Sequence, residues 1–186
     1  ETEVYGRMIY SDSSSGFHSP SSYDHCLNRT ILVHSLSKTY AMTGWRIGAV
    51  TGPENIINKM ALLYETITSC TAPFIQYAAI EAMMNSNEET YQMVSKYQSR
   101  RDVIVDGLNK INGIKCFKPE GTFYAFANIK SFKISSEQFS INLLHQANVA
   151  SCPGIFFGNN GEGFVRFCFA NTCLLYTSPS PRDKTV

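Results

Sequence analysis

The sequence lacks both a long apolar run and a leader-like beginning. No stretch approaches the roughly eighteen unbroken apolar residues that a membrane-spanning helix needs. The first residues do not combine a basic segment with an apolar one. We therefore predict neither a membrane span nor a signal peptide.

An excess of charge of one sign is also missing. Lys and Arg total 16 against 15 Asp and Glu, which gives a formal net charge of +1 and a pI near 7.8. Such a balance gives no general attraction to nucleic acid or to an anionic membrane surface. We predict neither as a partner.

Paired cysteines and metal-ligand spacings are absent as well. The 6 cysteines include no C-x-x-C pair, and none is spaced with the 4 histidines as a metal site requires. Reduced, buried thiols are the default in such a chain. The pattern predicts no metal site and a cytoplasmic location. We interpret His34 as a strand-end histidine satisfied by backbone groups and assign it no role.

What the sequence does have is enough apolar material for a packed core. Its 186 residues are 44% hydrophobic and 12% aromatic, which suits one domain or slightly more. Periodicity and turn residues predict strands and then helices in the first part, followed by short strands around one helix. The predicted strands there are 3–10, 29–33 and 49–52, and the predicted helices begin near Pro53, Pro73, Asn87 and Ser136, the last ending at Ala147.

One segment, Ser35 to Gly48, points to a specific chemistry. It follows an apolar run that we predict to be a buried strand of a parallel sheet. It presents the hydroxyls of Ser35 and Ser37, the amine of Lys38 and the guanidinium of Arg46. Hydroxyls and cations suit a phosphate, and a lysine in a poorly solvated pocket beside another cation is a good imine-forming nucleophile. A lone lysine and arginine are more often solvated or ion-paired, but the joint pattern favours a functional interpretation.

This segment resembles the Schiff-base lysine signature of class I and II pyridoxal-phosphate aminotransferases. In that family a serine three residues before the lysine and an arginine eight residues after it bind the cofactor phosphate, and Ser35 and Arg46 stand at these positions. The continuation from Met42 to Gly48 is most similar to the aspartate and aromatic aminotransferase branch. The resemblance implies that Lys38 is catalytic and forms an imine with pyridoxal 5'-phosphate, and that Ser35, Ser37 and Arg46 bind this cofactor.

A second landmark lies near the end of the chain. The run 153–158, followed by 161–167, is similar to the family's late glycine-rich turn and strand, whose arginine binds the substrate α-carboxylate. The resemblance implies that Arg166 is that arginine. A planar carboxylate is held best by a bidentate guanidinium. The alternation of Val165 and Phe167 also allows an edge-strand arginine that points to water, but the companion motifs favour carboxylate binding.

A third landmark is Glu3-Val4-Tyr5, which resembles the Asp-Glu-Val-Tyr strand end of the family. There the tyrosine hydrogen-bonds the phenolic oxygen of the cofactor, and the aspartate pairs with its pyridine nitrogen. Tyr5 matches the tyrosine, whereas Thr2 stands in the place of the aspartate. A hydroxyl cannot stabilise a pyridinium as a carboxylate does. We expect either a weaker electron sink or a non-native sequence at residues 1 and 2, and we favour the second.

The resemblance covers residues 3–172 and implies an α/β fold, fold type I. We expect residues 1–92 to form part of the large cofactor-binding domain, with an incomplete sheet, and residues 93–172 to form the small α+β C-terminal domain. The proline-containing stretch 173–186 is typical of a non-native tail. The chain is thus expected to be a C-terminal fragment, inactive and poorly stable alone, of a homodimer with Thr71 near its cross-subunit contacts.

The resemblance also implies the reaction. An amino group passes from an L-amino acid to a 2-oxo acid, and Lys38 moves the proton between the substrate Cα and the cofactor. Two alternatives remain open: a carbon–sulfur lyase of the same fold, and the aminotransferase-like effector domain of a transcription regulator. The residues do not specify the substrate side chain.

Overall fold

The computed structural model describes residues 2–23, 26 and 28–171, so the predicted non-native tail lies outside the described residues. The described strands are β1 (Thr2–Glu3), β2 (Leu32–Ser35), β3 (Gly48–Thr51), β4 (Lys115–Cys116), β5 (Tyr124–Asn128), β6 (Cys152–Pro153) and β7 (Phe164–Cys168). The described α-helices are α1 (Leu36–Thr39), α2 (Glu54–Thr68), α3 (Pro73–Asn85), α4 (Asn87–Asn109) and α5 (Ser136–Ala147).

The chain divides into two compact units inside α4. One unit ends at Ser95 and the other begins at Lys96. The first contains a sheet of order β1-β2-β3, in which β1 and β2 are parallel and β2 and β3 are antiparallel. Gly48 lies opposite Ser35, and a Cβ at Gly48 would stand only 2.5 Å from the carbonyl oxygen of His34. The close approach of β2 and β3 therefore requires glycine at this position.

The core of the first unit is small and lies beneath the segment that carries Lys38. Leu36, Met42 and Ala79 are buried together. By contrast, helices α2 and α3 expose large apolar side chains: Leu62, Ile67, Phe74 and Tyr77 are each between 67% and 73% exposed. Part of the apolar burial in this unit therefore lies beneath the candidate site.

The second unit contains an antiparallel sheet of order β4-β5-β7-β6. Its core lies on one face, where Ala125, Ala127 and Val165 are completely buried and Phe167 is nearly so. Strand β7 lies between β5 and β6. Arg166 therefore stands on an interior strand, and the alternative of an edge-strand arginine is wrong.

Two strand predictions in the first unit are wrong in part. The predicted strand 3–10 ends at Glu3, because the carbonyl of Tyr5 accepts a 2.8 Å hydrogen bond from the N–H of Met8 and closes a turn. The run predicted as a buried strand of a parallel sheet begins only at Leu32. It is parallel to β1, as predicted, but antiparallel to β3, and Val33 is 40% exposed. The predicted bounds of α5 are confirmed.

Two features are absent from the described part of the chain. None of its helices combines the length and the apolar character required to cross a bilayer. Those same residues contain no group of three or more His, Cys, Asp or Glu side chains placed to hold a metal ion.

Candidate active site

Lys38 lies in a single helical turn that begins where β2 ends. Ser35 is the N-cap of this turn: its backbone is extended, and its Oγ accepts a 3.2 Å hydrogen bond from the N–H of Ser37. Leu36 and Thr39 are buried and anchor the turn, whereas Lys38 is half-buried. The structure thus brings Ser35, Ser37 and Lys38 together within one turn, as the motif predicts.

Arg46 lies in a strained part of the following loop. It adopts the left-handed conformation, with φ 51° and ψ 47°, and Ala41 nearby has φ 53°. Such conformations are unfavourable for residues with a Cβ and concentrate at functional sites. The Nη1 of Arg46 donates a 2.8 Å hydrogen bond to the carbonyl of Thr43. That bond uses one N–H of the guanidinium and leaves others for a ligand.

The backbone after Arg46 returns to the start of the Lys38 turn. The N–H of Leu36 donates to the carbonyl of Ile47 at 3.4 Å. Among the described residues, however, no hydrogen bond joins the Arg46 side chain to Ser35 or Ser37. The structure therefore brings the backbones together but does not bring the guanidinium onto the hydroxyls.

The charge around Lys38 is of one sign along the chain. From Asn28 to Pro53 the sequence contains no Asp or Glu, whereas it contains Arg29, Lys38 and Arg46. Hydroxyl donors, an amine and a guanidinium form a donor set that matches a phosphate and an aldehyde. By this test the residues present fit pyridoxal 5'-phosphate.

Tyr5 is half-buried and follows β1. Glu3, at the end of β1, has a partner that the sequence did not suggest. The Glu3 side chain is 9% exposed, and its Oε2 lies 3.4 Å from Nδ1 of His34, an ion pair when the imidazole is protonated. The interpretation of His34 as satisfied by backbone groups is therefore wrong. Oε1 of Glu3 is buried without a hydrogen-bond partner among the described residues. Thr2 pairs with Val33 in the sheet.

Thr71 and Arg46 line one open cleft, together with Val50 and Tyr64. The Thr71 Oγ1 lies 3.0 Å from the hydroxyl of Tyr64. Gln76 donates a 2.7 Å hydrogen bond to the Thr71 carbonyl. The loop between α2 and α3 is thus held by polar contacts of its own.

Arg166 belongs to the second unit, where two aromatic rings flank it. Its Cζ lies 4.1 Å from the ring centroid of Tyr124 and 4.5 Å from that of Phe157. Within the described residues, no side chain or carbonyl accepts a hydrogen bond from its guanidinium, and no carboxylate pairs with it. The arrangement suits an anionic ligand. Sequence reasoning missed both rings, since neither stands at a recognisable spacing from Arg166.

The comparisons with known proteins agree with this geometry. The family model described as aminotransferase class I and II matches residues 3–173. The chain is 40% identical over 174 residues to an aspartate aminotransferase of Pyrococcus horikoshii, covering 91% of this chain and 43% of that protein. It is 37% identical over 170 residues to aromatic-amino-acid aminotransferase 2 of Thermococcus litoralis, covering 90% and 43%.

Solved structures are similar over the same stretch. An aromatic aminotransferase from Pyrococcus horikoshii has a TM-score of 0.87 and 39% identity, covering 92% of this chain and 46% of that one. The aspartate aminotransferase of Rhizobium meliloti has a TM-score of 0.85 and 33% identity, covering 92% and 44%. The predicted α/β fold, fold type I with a partial large-domain sheet, is confirmed. The chain spans less than half the length of these relatives, and it belongs to the class I and II aminotransferase family.

Proposed function

We propose that this chain carries the lysine, phosphate-binding and carboxylate-binding residues of a pyridoxal 5'-phosphate-dependent aminotransferase. The observation that carries the proposal is the turn at the end of β2, where Ser35, Ser37 and Lys38 stand together in a stretch without acidic residues. The activity would belong to a longer polypeptide, because the chain spans 43% of the curated relatives. Residues 1–92 would then be part of the cofactor-binding domain and residues 93–172 the small domain.

Each residue of the donor set would have a part in holding the cofactor. Ser35 accepts a hydrogen bond through its oxygen and so keeps its own O–H to donate to a phosphate oxygen. Ser37 offers a second hydroxyl, and Arg46 has N–H groups beyond the one bound to Thr43. The phenol of Tyr5 would face the phenolic oxygen of the cofactor. When bound, pyridoxal phosphate supplies an aldehyde for amines and a ring that accepts electron density.

Lys38 has two tasks in this scheme. Its Nζ would hold the cofactor through the aldehyde group that pyridoxal phosphate supplies. With substrate bound, the Lys38 amine would take the proton from the substrate Cα as general base and, once protonated, would give that proton back as general acid. A single turn fixed by the Ser35 cap and by two buried neighbours suits this positioning.

Arg166 would bind the α-carboxylate shared by L-amino acids and 2-oxo acids. Its guanidinium has the planar fork that a carboxylate needs, and no described residue neutralises it. This role does not select a side chain. The relatives named aspartate and aromatic aminotransferases make L-aspartate and L-phenylalanine the first substrates to try.

We further propose a homodimer for the longer enzyme and a cytoplasmic location. The loop of Thr71, which lies beside Arg46 along one cleft, would lie near the partner subunit. Cysteines without a disulfide bond stand at positions 26, 70, 116, 152 and 168. Free thiols suit a reducing compartment.

The decisive experiment compares Lys38→Ala with Lys59→Ala in the full-length protein. Lys59 is exposed on α2 and serves as the matched control. After incubation with pyridoxal phosphate, borohydride reduction and peptide mapping should mark the Lys38 peptide in the wild type and in Lys59→Ala. Lys38→Ala should lose both the mark and the cofactor absorbance band. An unmodified Lys38 peptide in the wild type would refute the assignment.

Product analysis separates the chemistries of one fold. Transfer of nitrogen from L-aspartate or L-phenylalanine to 2-oxoglutarate, with a 2-oxo acid as the other product, supports transamination. Release of ammonia and pyruvate from a sulfur-containing amino acid would instead identify a lyase. Cofactor binding without turnover of any amino acid would point to an effector domain.

A further inference from the structure

The guanidinium of Arg166 is enclosed by aromatic side chains from two separate segments. Tyr124 belongs to β5 and Phe157 to the turn Gly154–Phe157, and their ring centroids lie 4.1 and 4.5 Å from the Arg166 Cζ. On β7, Arg166 pairs with Phe126 on one side and with Cys152 on the other. The arginine therefore projects from the middle of the sheet, on the face opposite the buried core.

Each ring is held by contacts of its own. Phe157 packs edge-on against Phe126, with centroids 5.9 Å apart, and Phe126 stacks on Phe164 at 5.0 Å. On the other side, the Tyr124 ring packs against the ring of Phe123, with centroids 4.7 Å apart. Both rings therefore have packing partners besides Arg166.

Aromatic faces act on a guanidinium in a particular way. They attract its charge and displace water from it, but they do not accept its in-plane N–H groups as a carboxylate would. The N–H edge stays available, and a less hydrated guanidinium binds a carboxylate more strongly. Among the described residues nothing else competes for that edge.

We propose that Tyr124 and Phe157 are positioning residues, which orient the guanidinium of Arg166 toward the α-carboxylate of the substrate. The inference rests on the proposed role of Arg166 as the carboxylate binder. It adds that the affinity for carboxylate depends on both rings. A structural role alone is a poor account of Phe157, because its side chain is 49% exposed and lies on the face opposite Val165 and Phe167.

The kinetic test uses the full-length enzyme loaded with pyridoxal phosphate. Phe157→Leu and Tyr124→Leu should each raise KM for the amino acid on the order of tenfold and leave kcat within about threefold. Tyr124→Phe and Phe157→Tyr keep a ring and should restore a KM near that of the wild type. Phe156→Leu is the matched control, since Phe156 lies in the same turn and is 65% exposed. Its KM should not change.

A second readout does not depend on turnover. In protein labelled with ¹⁵N-arginine, the Nε–Hε signal that disappears in Arg166→Lys should be shifted by the two rings. It should move on titration with pyruvate, whose only acidic group is a carboxylate. Phe157→Leu and Tyr124→Leu should abolish the ring-dependent shift and weaken the pyruvate response, whereas Phe156→Leu should preserve both.

The outcomes separate the two proposals. A ring-dependent pyruvate response in a protein whose Lys38 is never modified supports the positioning role and overturns the proposed reaction. Transamination through Lys38 with unchanged KM in both leucine variants overturns the positioning role alone. An unshifted Nε–Hε signal in the folded wild type would do the same.

Discussion

Ser136 and Glu162 are joined by two hydrogen bonds to the two oxygens of one carboxylate. The N–H of Ser136 donates to Oε1 of Glu162 at 2.8 Å, and its hydroxyl donates to Oε2 at 2.9 Å. The same hydroxyl oxygen accepts from the N–H of Ile155 at 3.3 Å. Ser136 is fully buried at the start of α5. The Glu162 carboxylate therefore holds this end of the helix, and the Ser136 hydroxyl links it to the turn that carries Phe157.

This contact predicts a pH dependence. The hydrogen bonds from the N–H and then the hydroxyl of Ser136 lower the pKa of Glu162 below its ordinary 4.5. A carboxylate with a lowered folded pKa stabilises the folded state above its unfolded pKa, and this contribution is lost as the pH falls through the folded pKa. Glu162→Gln should lower the urea midpoint at neutral pH and should flatten its decrease on acidification.

Glu137→Gln is the matched control for this change. Glu137 is the next residue of the same helix turn and is exposed. It should keep the wild-type dependence of the urea midpoint on pH. Hydrogen exchange of the peptides 136–147 and 154–163 should rise in Glu162→Gln and not in the control. Identical pH profiles for wild type and Glu162→Gln would contradict the role assigned to this carboxylate.

Helix α5 illustrates what local sequence determines. Its predicted bounds, Ser136 to Ala147, are confirmed, because the signals for its start are adjacent in the chain. Ser135 caps it by accepting from the N–H of Gln138 at 3.2 Å. The contact of Glu162 with the same helix end could not be predicted, because Glu162 lies 26 residues further along the chain and is brought there by the tertiary fold.

The candidate site divides in the same way. Ser35, Ser37 and Lys38 are near neighbours in sequence, so the motif alone places them in one turn. The neighbours of Arg166 depend on strand order and register instead. Tyr124 reaches it because β5 pairs with β7, and Phe157 because a turn folds over that face. No residue spacing in the sequence predicts either of these two contacts.

The wrong strand predictions have a related cause. Val4, Tyr5, Met8 and Ile9 have the apolar character of a strand, but a strand also needs a partner. Beyond Glu3 the chain turns on itself, Ile9 forms a single bridge, and Met8 and Tyr10 are buried outside the β1–β2 ladder. Apolar content predicts burial here, but it does not predict pairing.

Gly154 is predicted to tolerate no side chain. A Cβ there would overlap the carbonyl oxygen of Gly161 and stand 2.5 Å from that of Phe164. Both obstacles are backbone atoms, so they cannot move aside as a flexible side chain would. We expect Gly154→Ala to lower the free energy of unfolding by about 3 kcal/mol.

Gly107→Ala is the contrasting variant. A Cβ at Gly107 meets nothing within 4 Å, and the residue lies within helix α4. Alanine there should stabilise the fold by about 0.5–1 kcal/mol, because it restricts the unfolded chain and suits a helix. Urea unfolding of both variants checks the pair. Equal effects would show that the Gly154 contact is looser than described.

The buried guanidinium of Arg101 gives a last prediction. Arg101 is 1% exposed, and its Nε and Nη2 donate to Oδ1 of Asp102 at 3.0 and 2.8 Å. Burial alone would raise the pKa of Asp102, but hydrogen bonds from Arg101 and Lys118 outweigh it and lower that pKa. Asp102→Asn removes one acidic partner of Arg101, and we expect the free energy of unfolding to fall by about 1–2 kcal/mol, a loss reduced by solvent at the partly exposed carboxylate. Asp106→Asn, exposed on the same helix, should change the urea midpoint little. A lowered folded pKa stabilises the folded state fully only above the unfolded pKa. The difference in urea midpoint between the two variants should therefore shrink as the pH falls through the folded pKa of Asp102. A difference that stays constant with pH would contradict the ion pair.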